Sequence, residues 1–290
     1  MTSSSEKSEL AVVSGCSSGI GRATARRLAA DGFHVLAGVR TESDAAAIAA
    51  DAIEPVLLDV TSDEQIASLT DRVANDPLQR PLRALVNNAG IAVNAPIEVL
   101  TLVDWRRQFD VSVFGQIALT RSMLPLLLKS RGRVVNVTSV GGRIAMANYG
   151  AYSAAKFAME AVSDSLRREV EDFGVQVIKI TPGAVRTNLT DSGLATSARI
   201  SGTMTAEQHR RYGELLTAFV AQAEGFARDG ATPEHAASVI SRAIAARRPR
   251  TRYTVGRDGA MFTGFSRIAS DRFLDRVLRN QNERLARSRR

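Results

Sequence analysis

Residues 139–156 read S-V-G-G-R-I-A-M-A-N-Y-G-A-Y-S-A-A-K: a serine, a tyrosine thirteen residues on, and a lysine four residues after that. At i and i+4, Tyr152 and Lys156 lie on one face of a helix, about 6 Å apart along its axis. A phenol left alone has a pKa of about 10, too high for a base near neutrality. An ammonium beside it favours the phenolate, so the pair can move a proton. Ser139 ends the apolar run 134–138 and so falls at the carboxyl edge of a strand, facing a cleft. Its hydroxyl can hold the oxygen of a carbonyl or alcohol there. Taken alone, the pair also reads as a half-buried helix aromatic beside a solvated charge. Composition weighs against that: of 38 basic residues only Lys7, Lys129, Lys156 and Lys179 are lysines, and there are four tyrosines in all.

Working outward, a strand at 10–14 runs straight into Gly15-Cys16-Ser17-Ser18-Gly19-Ile20-Gly21 and then a helical pattern at 22–30. Strand, glycine turn and helix aim backbone N–H groups and a helix N-terminus at a phosphate. Further strands are expected at 33–39, 53–60, 82–86, 133–138, 175–181 and 253–255, with helices between them. The longest helices are 101–129, opened by a partial capping box of Thr101 and Asp104 and bent at Pro125, and 151–173. This alternation predicts an α/β fold: a single domain over 9–260 with a Rossmann-like, doubly wound, parallel seven-stranded sheet. The turns after strands one, four, five and six then converge at the carboxyl edge, where such sheets bind ligands.

From 188 to 231 the sheet pattern stops. The segment reads as a polar, Gly/Ser-rich loop holding one helix at 206–227, whose apolar stripe is Tyr212, Leu215, Leu216, Phe219, Val220 and Ala223. A long insert beside the expected cleft reads as a helical substrate lid. Thr232 caps a further helix with Pro233 at its first position. Residues 1–8 read as a disordered leader, and 261–290 as a helical segment carrying Phe262, Phe265, Phe273, Leu274, Val277 and Leu278 with a basic tail.

Composition limits the function classes. The single cysteine, Cys16, excludes an internal disulfide, and three scattered histidines (His34, His209, His235) leave no metal centre to expect. The first ten residues carry acids and no apolar signal core, and no apolar run of membrane-spanning length is evident, so the expected location is the cytoplasm. A net charge of +8 invites a nucleic-acid reading, but the arginines are spread over many helices. The densest group, in 276–290, reads as a solvated helix face, with peripheral contact to an anionic membrane the lesser alternative.

Together these motifs resemble the short-chain dehydrogenase/reductase family over roughly residues 8–260, nearest its hydroxysteroid and retinol dehydrogenase branch. The family's T-G-x-x-x-G-x-G stands here as Ser14 to Gly21, with serine for threonine; N-N-A-G is Asn87 to Gly90; Y-x-x-x-K is Tyr152 to Lys156. The resemblance implies catalytic roles for Ser139, Tyr152 and Lys156. It also implies one for Ser112, which replaces the asparagine that holds a relay water in the family's F-D-V-N-V-x-G. Implied cofactor contacts are Gly15, Ser17, Ser18, Gly19, Ile20, Gly21, Arg40, Asp59, Val60, Asn88, Ala89, Gly90, Tyr152, Lys156, Pro182, Gly183, Val185 and Thr187.

Strand two ends Val39-Arg40, where an acid would hold ribose hydroxyls, so NADP(H) is expected over NAD(H). The expected activity is interconversion of a secondary alcohol and a ketone on an apolar small molecule, a steroid-like or lipid skeleton included. The alternative is a catalytically weak dinucleotide-binding sensor or scaffold, favoured by Ser112. The resemblance also implies a homodimer or homotetramer built through the two long helices.

Overall fold

The computed structural model describes residues 8–256, 259, 261, 264 and 269–287. Every residue of β1 (Leu10–Val13) is buried, as a strand covered on both faces requires. Its side chains alternate: Ala11 and Val13 enter the core under α1 (Gly19–Ala30) and α9 (Pro233–Ala245), with Leu28, Ile240 and Ile244. Leu10 and Val12 enter the opposite core under α3 (Asp63–Ala74) and α5 (Gly115–Ser130), with Leu69, Val73, Leu119, Met123 and Leu127.

The remaining strands are β2 (His34–Val39), β3 (Ile53–Leu57), β4 (Leu82–Asn87), β5 (Arg133–Val137), β6 (Gln176–Pro182) and β7 (Arg252–Val255). They form one seven-stranded sheet in the order β3-β2-β1-β4-β5-β6-β7, parallel at every pairing. The order reverses between β1 and β4, which opens a crevice at their carboxyl ends. The short α2 (Glu42–Ile48) joins β2 to β3, and α4 (Leu102–Phe109) leads into α5. The fold expected from the sequence is the fold observed.

Four local expectations need correction or completion. Leu58, Asp59 and Val60 lie beyond the end of β3, in the turn that faces the cleft. The Thr101 capping box is complete, with both reciprocal bonds to Asp104. The stretch 101–129 is not one α-helix: a π-helical turn at Asp110–Phe114 separates α4 from α5. Leu102–Ser130 is also long and apolar enough to cross a membrane by composition; here its Leu119, Met123 and Leu127 are core residues.

The fourth correction concerns 188–201, expected as loop and in fact α7 (Asn188–Ser201). Its buried face is Gly193, Ser197 and Ile200, at helical spacing but mostly without apolar bulk, so hydropathy does not reveal it. α8 (Ala206–Asp229) follows, and the C-terminal helix α10 (Asp271–Arg287) packs against it. The expected leader, apart from Ser8, and the expected helical residues Phe262 and Phe265 lie outside the described residues, as do 288–290.

Candidate active site

The parallel sheet brings the ends of six strands to one edge, and a cleft of about 470 Å³ opens there. Of the residues expected at the site, Ser139, Tyr152, Lys156 and all the cofactor contacts except Gly21 line this cleft. Gly21 sits inside α1, where a side chain would drive its Cβ to 2.1 Å from the Gly15 carbonyl oxygen. It lets the helix close onto the turn.

Ser112 is the second residue off the cleft wall. It is fully buried in the π-helical turn, and its hydroxyl accepts from Gln108 Nε2 at 2.8 Å and from the Ile91 N–H at 3.4 Å. Gln108 also accepts from the Val93 N–H and donates to the Ile91 carbonyl. Ser112 is therefore part of a brace for the loop after β4. The shorter side chain that replaces asparagine does not reach the cleft.

The glycine turn is held by Ser14. Its hydroxyl accepts from the N–H groups of Asn88 and Ala89, each at 3.0 Å, and donates to the Val86 carbonyl. Asn88 returns its side-chain amide to the carbonyls of Ser14 and Gly15. A serine in the family's threonine position thus keeps the oxygen that joins the ends of β1 and β4. Gly15 and Gly19 have φ of +72° and +54°, and a Cβ on Gly15 would stand 2.9 Å from the Ala89 Cα. Only glycine fits that approach. Cys16, beside them, is buried with its thiol on the Val13 carbonyl, and burial pushes that thiol up, away from redox chemistry.

The helix starts show what the cleft is built to hold. Five helices (α2, α3, α4, α8 and α9) are capped by their own Thr or Ser side chains. Of α1–α9 four are not: α5 continues straight from the π-helical turn and has no free start, and the other three are α1, α7 and α6 (Gly150–Val170), whose caps Ser18, Thr187 and Tyr149 all line the cleft. α1 also lacks an acid in its first turn. Free N–H groups at such a terminus suit a phosphate, and the uncapping Thr187 hydroxyl is left to bond a ligand. These residues fit a dinucleotide.

Beyond the end of β2, Arg40 is exposed and its charge helps hold the Asp59 carboxyl below its usual range, behind the hydrogen bonds from Thr61.

At the reacting end, α6 sets Tyr152 beside Ser139. Gly141 makes room: its Cβ would fall 3.0 Å from the Tyr152 ring. Burial pushes the phenol above its ordinary value, and the hydrogen bond from Ser139 opposes the rise. Lys156 Nζ donates to the Val137 carbonyl at 3.0 Å and lies 5.9 Å from the Tyr152 ring centroid. Burial brings its ammonium down to about 8. The lowering of the phenol expected from Lys156 is not what is found: burial raises it, Ser139 alone opposes the rise, and the phenol is protonated at neutral pH.

Several cleft residues escaped the sequence reading. Gln222 and Phe226 continue the α8 face of Phe219 and Ala223 at helical spacing, so a longer stripe would have found them. Arg107, one helical turn before Val111, adds a second arginine, and Met146 adds sulfur to the aromatic wall. Gln281 comes from α10, and no local signal places it there.

Comparison with known proteins bears on the same residues. The short chain dehydrogenase family profile matches residues 9–197. Mouse retinol dehydrogenase 5 is 38% identical over 275 residues, covering 92% of this chain and 86% of that protein. The 3-amino-tetrahydro-pyrrolizinone reductase of Xenorhabdus hominickii is 37% identical over 258 residues, covering 89% and 90%. Among solved structures, a short-chain dehydrogenase from Streptomyces avermitilis superposes with a TM-score of 0.75 at 30% identity, over 98% of each chain.

Proposed function

This chain belongs to the short-chain dehydrogenase family and is an oxidoreductase using NAD(P), and we propose that it interconverts a secondary alcohol and a ketone on an apolar substrate, preferring NADP(H). The observation that carries the reading is Ser139, Tyr152 and Lys156 at one end of a cleft whose other end is the uncapped N-terminus of α1.

A nicotinamide dinucleotide held in this cleft would supply or accept the hydride. Residues of this chain do the rest. Gly15, Ser17, Ser18, Gly19 and Ile20 offer backbone N–H groups to the diphosphate. Asp59, Val60, Asn88, Ala89 and Gly90 wall the adenosine side, and Pro182, Gly183, Val185 and Thr187 the nicotinamide side. Ser139 and Tyr152 both bond the substrate oxygen, and the protonated phenol donates to it as the ketone is reduced. Lys156 orients the ribose and, as an ammonium, stabilises the phenolate that remains. Val39 offers no acceptor to ribose hydroxyls, whereas Arg40 offers a fork to a 2′-phosphate.

The apolar substrate class rests on the wall formed by Met146, Tyr149, Phe219, Ala223 and Phe226, with α7 and α8 as the lid. It agrees with the name of the retinol dehydrogenase relative, retinol being an apolar alcohol. Steroid-like and lipid ketones belong in the same class. Leu102 and Val103 of α4, Phe114 of the π-helical turn and Phe157 of α6 are exposed, which supports assembly as a homodimer or homotetramer through these elements. A cytoplasmic location and the absence of a nucleic-acid partner complete the reading.

A panel of alcohols and ketones, followed by NADPH absorbance, tests the activity. Tyr152→Phe removes only the proton-carrying oxygen, so dinucleotide binding persists while turnover falls by roughly three or more orders of magnitude. Near wild-type turnover in that variant would refute the mechanism.

A further inference from the structure

One helical turn beyond Lys156 lies a buried ionic cluster that the proposed chemistry leaves unused. Glu160 follows Lys156 at i+4 on α6 and is 5% exposed. Arg252, on β7, sets its guanidinium on both carboxylate oxygens, with Nη1 2.7 Å from Oε1 and Nη2 on Oε2. The same Nη1 donates to the Thr181 hydroxyl of β6 at 2.7 Å. Thr181 and Thr138 place their hydroxyls 3.3 Å apart, and Thr138 immediately precedes Ser139. Lys179 of β6 lies 3.3 Å from Glu160 and 2.6 Å from Asp164, and Arg167 lies 3.1 Å from Asp164.

The cluster meets the catalytic residues from both sides. Ser139 is carried by the end of β5, Tyr152 and Lys156 by α6, and the two elements touch where the turn after Ser139 crosses the helix. A Cβ on Gly142 in that turn would stand 2.9 Å from the Lys156 carbonyl oxygen and 3.2 Å from Glu160 Cγ. A shift of the Glu160 turn therefore presses directly on the backbone beside Ser139. Buried ions are costly to desolvate, and apolar side chains of similar volume often stabilise a fold as well or better. What a bidentate pair adds is fixed geometry.

We propose that Glu160, gripped by Arg252, is a positioning residue: it fixes the turn of α6 that carries Lys156 against the strand end that carries Ser139, and it balances the charge beside Lys156. The catalytic consequence rests on the role given to Lys156 above. The charged and titratable groups around this turn are Tyr152, Asp164 and Arg167 on α6, Lys179 on β6, Arg252 on β7 and Arg143 in the turn after Ser139.

Two readouts test it, one independent of activity. Competitive acetylation with acetic anhydride, read by peptide mass spectrometry, titrates Lys156 in a chain with only four lysines. The wild-type midpoint is expected near 8. Glu160→Gln makes the cluster one charge more positive, which disfavours the ammonium and lowers the midpoint; Arg252→Gln makes it one charge more negative and raises it. Each shift should be about one pH unit, the Coulomb size for a unit charge about 8–10 Å away at an effective dielectric of roughly 20–40. In NADPH-dependent reduction of a ketone that the wild type accepts, both variants lose kcat by about ten- to a hundredfold with KM little changed.

Glu160→Asp keeps the charge but withdraws it by one methylene, so kcat falls while the midpoint stays. It carries the test if Glu160→Gln does not fold. Midpoints that stay put or move the same way in Glu160→Gln and Arg252→Gln, or a wild-type kcat in Glu160→Asp, would overturn the proposal. A wild type inactive on every ketone would instead sink the reading of the cleft, and the acetylation midpoints would still decide whether Glu160 and Arg252 govern Lys156.

Discussion

Replacing Ser14 with alanine removes one oxygen from a place no solvent reaches. Ser14 is fully buried, and its hydroxyl is the acceptor for two backbone N–H groups, those of Asn88 and Ala89, each at 3.0 Å. Alanine leaves both donors without that acceptor. A buried group left unsatisfied costs about 1–3 kcal/mol, so the loss of stability should be about 2–4 kcal/mol after partial relaxation. At roughly 2–4 °C per kcal/mol for a chain of this general size, Tm should fall by roughly 5–15 °C. The Asn88–Gly90 edge also walls the cleft, so NADPH affinity should weaken alongside stability. Urea and thermal unfolding measure the first effect and calorimetric titration the second. Ser14→Thr, which keeps the oxygen, is the control and should stay close to wild type in cofactor affinity. A loss below about 0.5 kcal/mol in Ser14→Ala, with cofactor affinity unchanged, would refute the role given to this hydroxyl.

Three further outcomes follow from the same geometry. Because burial brings Lys156 down to about 8 from its usual 10.5, kcat/KM should fall as pH rises through 8 and the ammonium is lost; Tyr152, pushed up by burial, would give a further limb at higher pH. A profile flat to pH 10 would count against this assignment. The folded state binds fewer protons at Lys156 than the unfolded chain between about 8 and 10.5, so this group's contribution to stability rises with pH across that window. Val39→Asp with Arg40→Ala should reverse a preference for NADPH of roughly ten- to a hundredfold, the worth of one to two charge-assisted bonds; tighter binding of NADH than NADPH by the wild type would overturn the assignment. Phe219→Ala should raise KM for bulky apolar ketones by about tenfold or more while small ketones change little; an equal loss for both, with a lower Tm, would make that side chain core alone.

Local chemistry with a short reach was legible in the chain. The glycine turn, the N-N-A-G stretch, the Tyr152–Lys156 spacing and the buried strands each declare themselves within about ten residues, because turn conformation and side-chain period are local properties. In a parallel sheet that is enough to predict one ligand-binding edge, since strand direction alone sends every such turn to the same side. Val39 and Arg40 likewise stated the cofactor question before any coordinates.

Only tertiary structure decided the rest. The helix at Asn188–Ser201 buries Gly193 and Ser197, the glycine against Ala92 and Asn94 in the loop after β4, and small residues that pack closely leave no hydropathy signal. Ser112 looked like a relay residue by motif, yet a π-helical turn and Gln108 draw it into a brace behind the cleft. Gln281 reaches the cleft from a helix whose own pattern says only that one face is apolar. The Lys156 ammonium is shifted by desolvation, which is a sum over every atom packed around it and is written at no single position of the sequence. Glu160 and Arg252, ninety-two residues apart, become one ion pair only once β7 joins the sheet beside β6.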